Sequence, residues 1–451
     1  MTNIEGGRAQ FGNPAEARGS GENYLDFISK QVFIVDPRGQ GFGLRDYGFL
    51  DAYANKFFIL AGNNGLFVSP RTIPNELLAY YDQLGIDTPL PENIITVEAE
   101  KDGTSLVDGI SNNPAIGSIL TQRRGGFVVP YMVTPEVEEL ARIHGLNMLV
   151  DSTTVGHMAD KARFQEELAI ISTDIAKDTG YDVAIPMSTF KADDRSSAGR
   201  LYSVLSREGT KDVVVIRPKS ASALGIFMLR AGKGIDGLSE VLAEHFSEDD
   251  EVLIEEFIDH NHSPSMQGAR QQTTDYMHLY FGRQIISSHG DRFAYDSSQI
   301  PFGASTVPIN IGDLGKMQEI HVALGESLIK AKGIAGVAGF DTVAQISEGG
   351  KVDNFKITEL NLHLPSSLAV YAAIRKVFPD GFNGIAHNMN VPLQLNQTVH
   401  DFIRQSKGLL VGRKQEYGIF PLNLSYPDKI DIVVFAKDVE HLSQILGGIN
   451  K

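Results

Sequence analysis

Residues 336–367 read GVAGFDTVAQISEGGKVDNFKITELNLHLPSS. Two runs rich in apolar and β-branched residues flank the turn EGGK (348–351), a pattern that predicts a hairpin. Glu359 and Asn361 stand two apart on its second strand, so their side chains share one face of the sheet. Asp341 lies on the first strand. Three oxygen-bearing side chains on one face suit Mg2+, which favours carboxylates, waters and substrate phosphates.

Working outward, VVVIRPKSASALGIFML (213–229) predicts a strand ending at Arg217, a loop of small residues, and a return strand. Strand-end cations and closely approaching backbone N–H groups are the means by which a loop holds phosphates. VLIEEFI (252–258) is a strand with an acidic end. Asp160-Lys161 opens a helix whose pattern runs to Gly180. In order, these are a cation at a helix start, cations beside a small-residue loop, an acidic strand end and an oxygen-rich hairpin.

Upstream, apolar runs at 31–36, 56–62, 93–99, 126–132 and 146–151 read as strands. Helical stretches alternate with them at 75–85, 105–120 and 134–145, with Pro interrupting the second. That alternation predicts an open, mostly parallel sheet. Downstream, YMHLYFG (276–282) and QIISSH (284–289) read as a hairpin, 312–333 as one long helix, and 429–449 as a strand followed by a helix. The expected organisation is a polar arm at 1–22, an α/β domain at 23–155, a nucleotide-binding core in two lobes at 156–250 and 251–390, and a C-terminal αβ extension at 391–451.

Composition narrows the function. The 451-residue chain has 40 Lys and Arg against 56 Asp and Glu, a net charge of -16, which argues against a general nucleic-acid binder. It contains no cysteine, so disulfides, thiolate metal sites and cysteine nucleophiles are excluded. An apolar content of 42 % fits a globular protein, and neither a signal peptide nor a membrane span is legible. A cytoplasmic protein is expected.

Several motifs fail. GQGFG (39–43) has Leu44 where a dinucleotide fingerprint needs its third glycine, so it reads as a turn. GxxxxGK[ST], GxSxG and HExxH are absent. His260 and His262 flank Asn261 beside Asp259 and read as a solvated loop more readily than as metal ligands. Arg195, next to Asp193 and Asp194, reads as a loop cation before a substrate contact.

The order of these pieces over residues 125–370 resembles the ATP-grasp superfamily, and within it the pheganomycin-type peptide ligases. The finer likeness is carried by PYMVTPEVEELARIHGLNMLVDSTTVGHMADKARF (130–164), HSPSMQGARQQTTD (262–275) and PFGASTVP (301–308). The resemblance implies a pre-ATP-grasp domain with an open parallel sheet, followed by a two-lobed core. It implies ATP and Mg2+, with Lys161, Arg217 and Lys219 on the phosphates and Ser220 to Gly225, including Ser222, as the loop over them. Glu255, Glu256 and Ile258 would flank the adenine, with Asp259 or His262 open as the ribose partner. Asp341, Glu359 and Asn361 would hold the metal.

Two positions depart from the pattern: His363 stands where many relatives carry an arginine that faces the transferring phosphate, and Gly339 where some relatives carry another arginine. Arg217 and His363 are the candidate catalytic residues. The implied activity is carboxylate–amine ligation through an acyl phosphate with release of ADP. The alternatives are a thiol acceptor, a small-molecule kinase and a nucleotide-binding protein without activity. Small carboxylate and amine substrates are the expected partners, without nucleic acid or membrane, and a homodimer is the default assembly.

Overall fold

The computed structural model describes residues 24–40, 47–97, 105–219, 225–260, 262–271, 274–289, 292–302, 314–347, 352–394, 397–412, 415 and 417–449. The expected arm at 1–22 lies outside them. Among the described residues no helix is long and apolar enough to cross a membrane.

Strands β1 (Val32–Ile34), β2 (Leu66–Ser69), β3 (Ile94–Thr96), β4 (Phe127–Pro130) and β5 (Asn147–Met148) form a parallel sheet in the order β3-β2-β1-β4-β5. Helices between them end as their sequences dictate. Gly85 and Gly145 adopt φ of 74° and 67°, left-handed values that a Cβ disfavours. Thr134 caps the helix Pro135–His144.

A smaller antiparallel sheet follows: β6 (Met187–Lys191), β7 (Val213–Ile216), β8 (Ile226–Leu229) and β9 (Glu251–Glu256), in the order β8-β7-β9-β6. The run VVVI is buried on both faces. Val213 and Val215 pack with Leu238, Leu242 and Ala198 of two helices, whereas Val214 and Ile216 pack with Ala162 and Leu253.

The third sheet contains β10 (Pro264–Arg270), β11 (Met277–His289), β12 (Arg292–Phe302), β13 (Gly336–Ile346), β14 (Val352–Asn361), β15 (Gly384–Pro392), β16 (Gly418–Asn423) and β17 (Lys429–Ala436). Its order is β14-β13-β10-β11-β12-β15-β17-β16, antiparallel throughout. It meets the smaller sheet where Arg292 pairs with Phe227. The 336–361 hairpin is as read, and so are β17 and the helix Val439–Ile449. β15 runs across the boundary expected at 390 and carries the sheet into the C-terminal strands.

Four local readings are corrected. The run at 56–62 is not a strand but part of a 3-10 helix, Asn55–Leu60. It is buried on every side against the helix Ser366–Val377, so its sequence carries no periodicity to separate helix from strand. The stretch 105–120 is two helices, Leu106–Ser111 and Pro114–Gln122, because Asn113 caps a new helix with Pro114 at its first position.

The hairpin read at 276–289 is the single strand β11, since Gly282 stays in register opposite Ser265 and does not turn. The helix read at 312–333 is α-helical over Leu314–Leu324 and widens into a π-helix over Gly325–Lys330. There Gly325 packs against the Tyr276 ring with no room for a side chain.

Candidate active site

Asp160 caps the helix Lys161–Thr179, its Oδ1 accepting from the N–H groups of Ala162 and Arg163 at 3.1 and 3.3 Å. The cap fixes Lys161 at the first helical position. The Lys161 N–H donates to Pro218 O at 3.1 Å, which ties this helix start to the chain leaving β7. The Lys161 ammonium reaches Glu359 Oε2 on β14 at 2.7 Å. Its charge also favours ionisation of Glu255 of β9, against the burial of that carboxyl.

Strand register builds the rest. Directly opposed residues of an antiparallel pair share a face. Glu359 opposes Asp341, Asp341 opposes Ser265, and Ser265 opposes Gly282. In the next row Asn361 opposes Gly339 and Gly339 opposes Gln267. Asn361 Nδ2 donates to Asp341 Oδ2 at 2.9 Å and to Glu359 Oε1 at 3.5 Å. Ser265 Oγ donates to Asp341 Oδ1 at 2.7 Å, and Gln267 Nε2 donates to Ser265 Oγ at 2.7 Å.

The charges sort themselves around this grid. Burial pushes Asp341 up, and the negative Glu359 beside it adds to the shift. Burial would also raise Glu359, but the Lys161 charge, the hydrogen bond with Asp341 and the Asn361 amide outweigh it and hold that carboxyl down. Burial pushes Glu255 up to about 8, with Lys161 opposing and Glu359 adding. The cluster is therefore the Lys161 cation and the Glu359 anion flanked by two carboxyls, Asp341 and Glu255, whose ionisation burial opposes.

His363 follows two residues past Asn361, half-buried, with its ring 5.5 Å from that of Tyr131. Burial holds its imidazole down at about 4, so it is neutral near pH 7. Leu364 N–H donates to Tyr131 O at 2.9 Å, which seats the end of this segment against the chain leaving β4.

The structure separates the two cations read after β7. Arg217 does not join the cluster. It continues the Val213 and Val215 side of the strand, and its Nη2 donates to His245 O at 2.7 Å, at the end of the helix Gly234–His245. Its guanidinium lies over the Phe246 ring at 5.4 Å, and the side chain is 48 % exposed. The alternation along the strand puts Ile216, not Arg217, on the Ala162 side. Lys219 has its Nζ 3.9 Å from Asp160 Oδ2 and a side chain 79 % exposed, next to the start of the Lys161 helix.

Gly225 O accepts from Arg217 N–H at 2.9 Å and closes the loop, while Ser220 and Ser222 lie outside the described residues. Glu256 turns to Arg207 at 3.4 Å, on the face opposite Glu255. Ile258 is half-buried where the chain leaves β9, and its carbonyl lies 2.8 Å from His260 Nδ1. Arg195 Nη1 donates to Ser239 O at 3.4 Å, away from the cluster.

Mg2+ fits Asp341, Glu359 and Asn361: all three present oxygen donors on one sheet face, and the Asn361 amide already bridges the two carboxyls. Turning that amide would direct Oδ1 to a cation. Ser265, Gln267 and Tyr131 were not singled out from sequence. The signal available was the two-residue spacing of Ser265 and Gln267 on one strand.

No protein-family model matches the chain, and no curated protein matches it. Solved structures do. An N5-carboxyaminoimidazole ribonucleotide synthetase in complex with ADP aligns over 94 % of this chain and 96 % of its own, with a TM-score of 0.53 and 11 % identity. A biotin carboxylase from Campylobacter jejuni, in a β-γ-ATP complex, aligns over 94 % and 90 %, with a TM-score of 0.54 and 13 % identity. The biotin carboxylase domain of a Hydrogenobacter thermophilus 2-oxoglutarate carboxylase, with MgADP, ADP and bicarbonate, aligns over 93 % and 89 %, at 0.52 and 14 %. The chain has the ATP-grasp fold.

Proposed function

We propose that this chain is an ATP-dependent carboxylate–amine ligase that works through an acyl phosphate and releases ADP and phosphate. The observation that carries the reading is the Lys161–Glu359 contact at 2.7 Å, between the cation proposed for the phosphates and the oxygens proposed for Mg2+. The solved relatives bind ADP or an ATP-type ligand, which supports a nucleotide at the corresponding place here. The likeness to pheganomycin-type ligases supports an amino acid or peptide as substrate.

In this reading Lys161 and Lys219 bind the phosphates, while Glu255 and Ile258 border the adenine. Asp341, Glu359 and Asn361 hold Mg2+, which when bound neutralises phosphate charge. The substrate carboxylate forms an O–P bond to the terminal phosphorus as the bond to ADP breaks. The amine nitrogen then forms a C–N bond to the acyl carbon as the C–O bond to phosphate breaks, and its surplus proton leaves with the phosphate. No side chain is covalently modified, so the protein acts by positioning and by charge.

The test is the product pair. Wild-type protein with Mg·ATP, mixed amino-acid carboxylates and hydroxylamine should yield ADP and a hydroxamate in equal amounts. AMP and pyrophosphate would overturn the mechanism, and ADP without hydroxamate would indicate a kinase.

A further inference from the structure

Gln267 sits one row from Asp341 and has no part in the reading above. Its orientation is fixed by its neighbour. Ser265 has one hydroxyl proton and gives it to Asp341 Oδ1, so Ser265 Oγ accepts from Gln267, and the atom at 2.7 Å is Nε2. Gln267 Oε1 is therefore turned away from Ser265 and over Gly339, in space that a side chain at 339 would need. The residue is 2 % exposed, and Oε1 has no hydrogen-bond partner. A buried acceptor left unpaired costs stability, so its retention points to a donor that arrives with a ligand.

The same sheet face carries two more such atoms. Gln284, two residues along β11 from Gly282, hydrogen-bonds Asp341. It opposes Ser298 of β12, which opposes Asn388 of β15. Ser298 Oγ and Asn388 Oδ1 are both buried without a partner. Register places Gln267 and Gly339 one row to one side of the Asp341–Ser265–Gly282 row, and Gln284, Ser298 and Asn388 one row to the other. The unpaired acceptor beside Asn361 and Gly339 is thus Gln267 Oε1, which suits a group with an N–H donor.

We infer that the space over Gly339 that Gln267 Oε1 faces is the acceptor subsite, and that its ligand is a primary amine whose nitrogen donates to Gln267 Oε1. The inference rests on the ligase reading and names its nucleophile. A neutral amine has two protons and a lone pair, so one N–H can be held while the lone pair attacks. The held proton remains as the amide N–H, and the other leaves with phosphate. A thiol has a single, weakly donating proton that is lost on reaction, so Oε1 would have nothing to hold. The subsite therefore selects amines against thiols.

Two variants act on the same atom by different routes. Gln267→Met removes the carboxamide at similar length, and Gly339→Ala displaces it with a methyl group. Hydroxylamine serves as the amine probe and 2-mercaptoethanol as the thiol. Wild type should form hydroxamate and no thioester. In both variants the KM for hydroxylamine should rise by about tenfold or more, as expected for one lost hydrogen bond in a closed site. The KM for ATP should stay within about twofold in both variants.

An unchanged hydroxylamine KM in both variants, or thioester formation by wild type, overturns the assignment while leaving the ligase reading intact. A fall in Tm together with a rise in the ATP KM would show a structural role and also overturn it. Absence of any hydroxamate from wild type overturns the ligase reading, and this assignment with it.

Discussion

Lys161 Nζ lies 2.7 Å from Glu359 Oε2, and this one ion pair joins the first turn of a helix to the end of β14. Both partners are largely shielded, and Glu255 stands by as a second carboxyl. The two sides of the pair are consequently unequal. Lys161→Met leaves a buried anion without a cation, which typically costs about 3–5 kcal/mol. Glu359→Gln removes the charge that opposes Glu255 ionisation, so Glu255 can become the new partner of Lys161. Urea denaturation should show Lys161→Met losing more than twice the stability that Glu359→Gln loses, while both lose Mg·ATP turnover. Equal losses would refute this exchange of partners.

Arg217 and Lys219 differ in position, Arg217 at the end of a helix and Lys219 beside Asp160. The Arg217 guanidinium donates to the carbonyl end of a helix, where a cation is favourable by about 0.3–1 kcal/mol. Arg217→Gln should lower the denaturation midpoint slightly and leave the KM for ATP within about twofold of wild type. Lys219→Ala should do the reverse, raising the KM for ATP with little change in midpoint. A large rise in the ATP KM of Arg217→Gln would restore Arg217 to the phosphates.

The case of Arg217 shows what could be read in advance. Order and residue type were legible: Asp160-Lys161 as a helix start, the 336–361 hairpin, and Asp341 with Glu359 and Asn361 on one face. All of these follow from local spacing. The side a strand-end residue takes depends on where the strand's alternation meets a second layer, and VVVIRP is apolar on both sides, so it carries no such mark. The same lack of contrast hid the 3-10 helix at Asn55–Leu60. Ser265 and Gln267 were hidden differently: their importance comes from register against Asp341 and Gly339, more than seventy positions away in the chain.

Asp341 and Glu359 oppose each other directly, and like carboxyls in that relation disfavour the fold. Asp341→Asn removes the conflict while keeping an acceptor for Ser265. It should leave the urea midpoint at or above that of wild type and abolish the Mg2+-dependent part of ATP binding measured by calorimetry. A lowered midpoint with normal binding would show that Asp341 serves the fold and not the metal.

A second buried group predicts a pH dependence. Tyr276 Oη lies 2.6 Å from His321 Nε2, and His321 Nδ1 lies 2.7 Å from His278 Nδ1. The rings packed around the pair are those of Tyr276, Phe281 and Phe340. Burial holds His278 down at about 4 and His321 well below its ordinary range.

The unfolded chain takes up these protons near pH 6.5, whereas the folded chain resists until about pH 4. Stability from the neutral pair is complete above 6.5 and is lost as pH falls from 6.5 towards 4. Glu255 acts with the opposite sign, since its raised carboxyl favours the fold at low pH, so the whole-protein slope is blunted. His278→Gln isolates the effect: between pH 7 and 5 its stability should fall less steeply than that of wild type, by close to one proton's worth of slope. Parallel curves for the two proteins would show that His278 does not resist protonation in the fold.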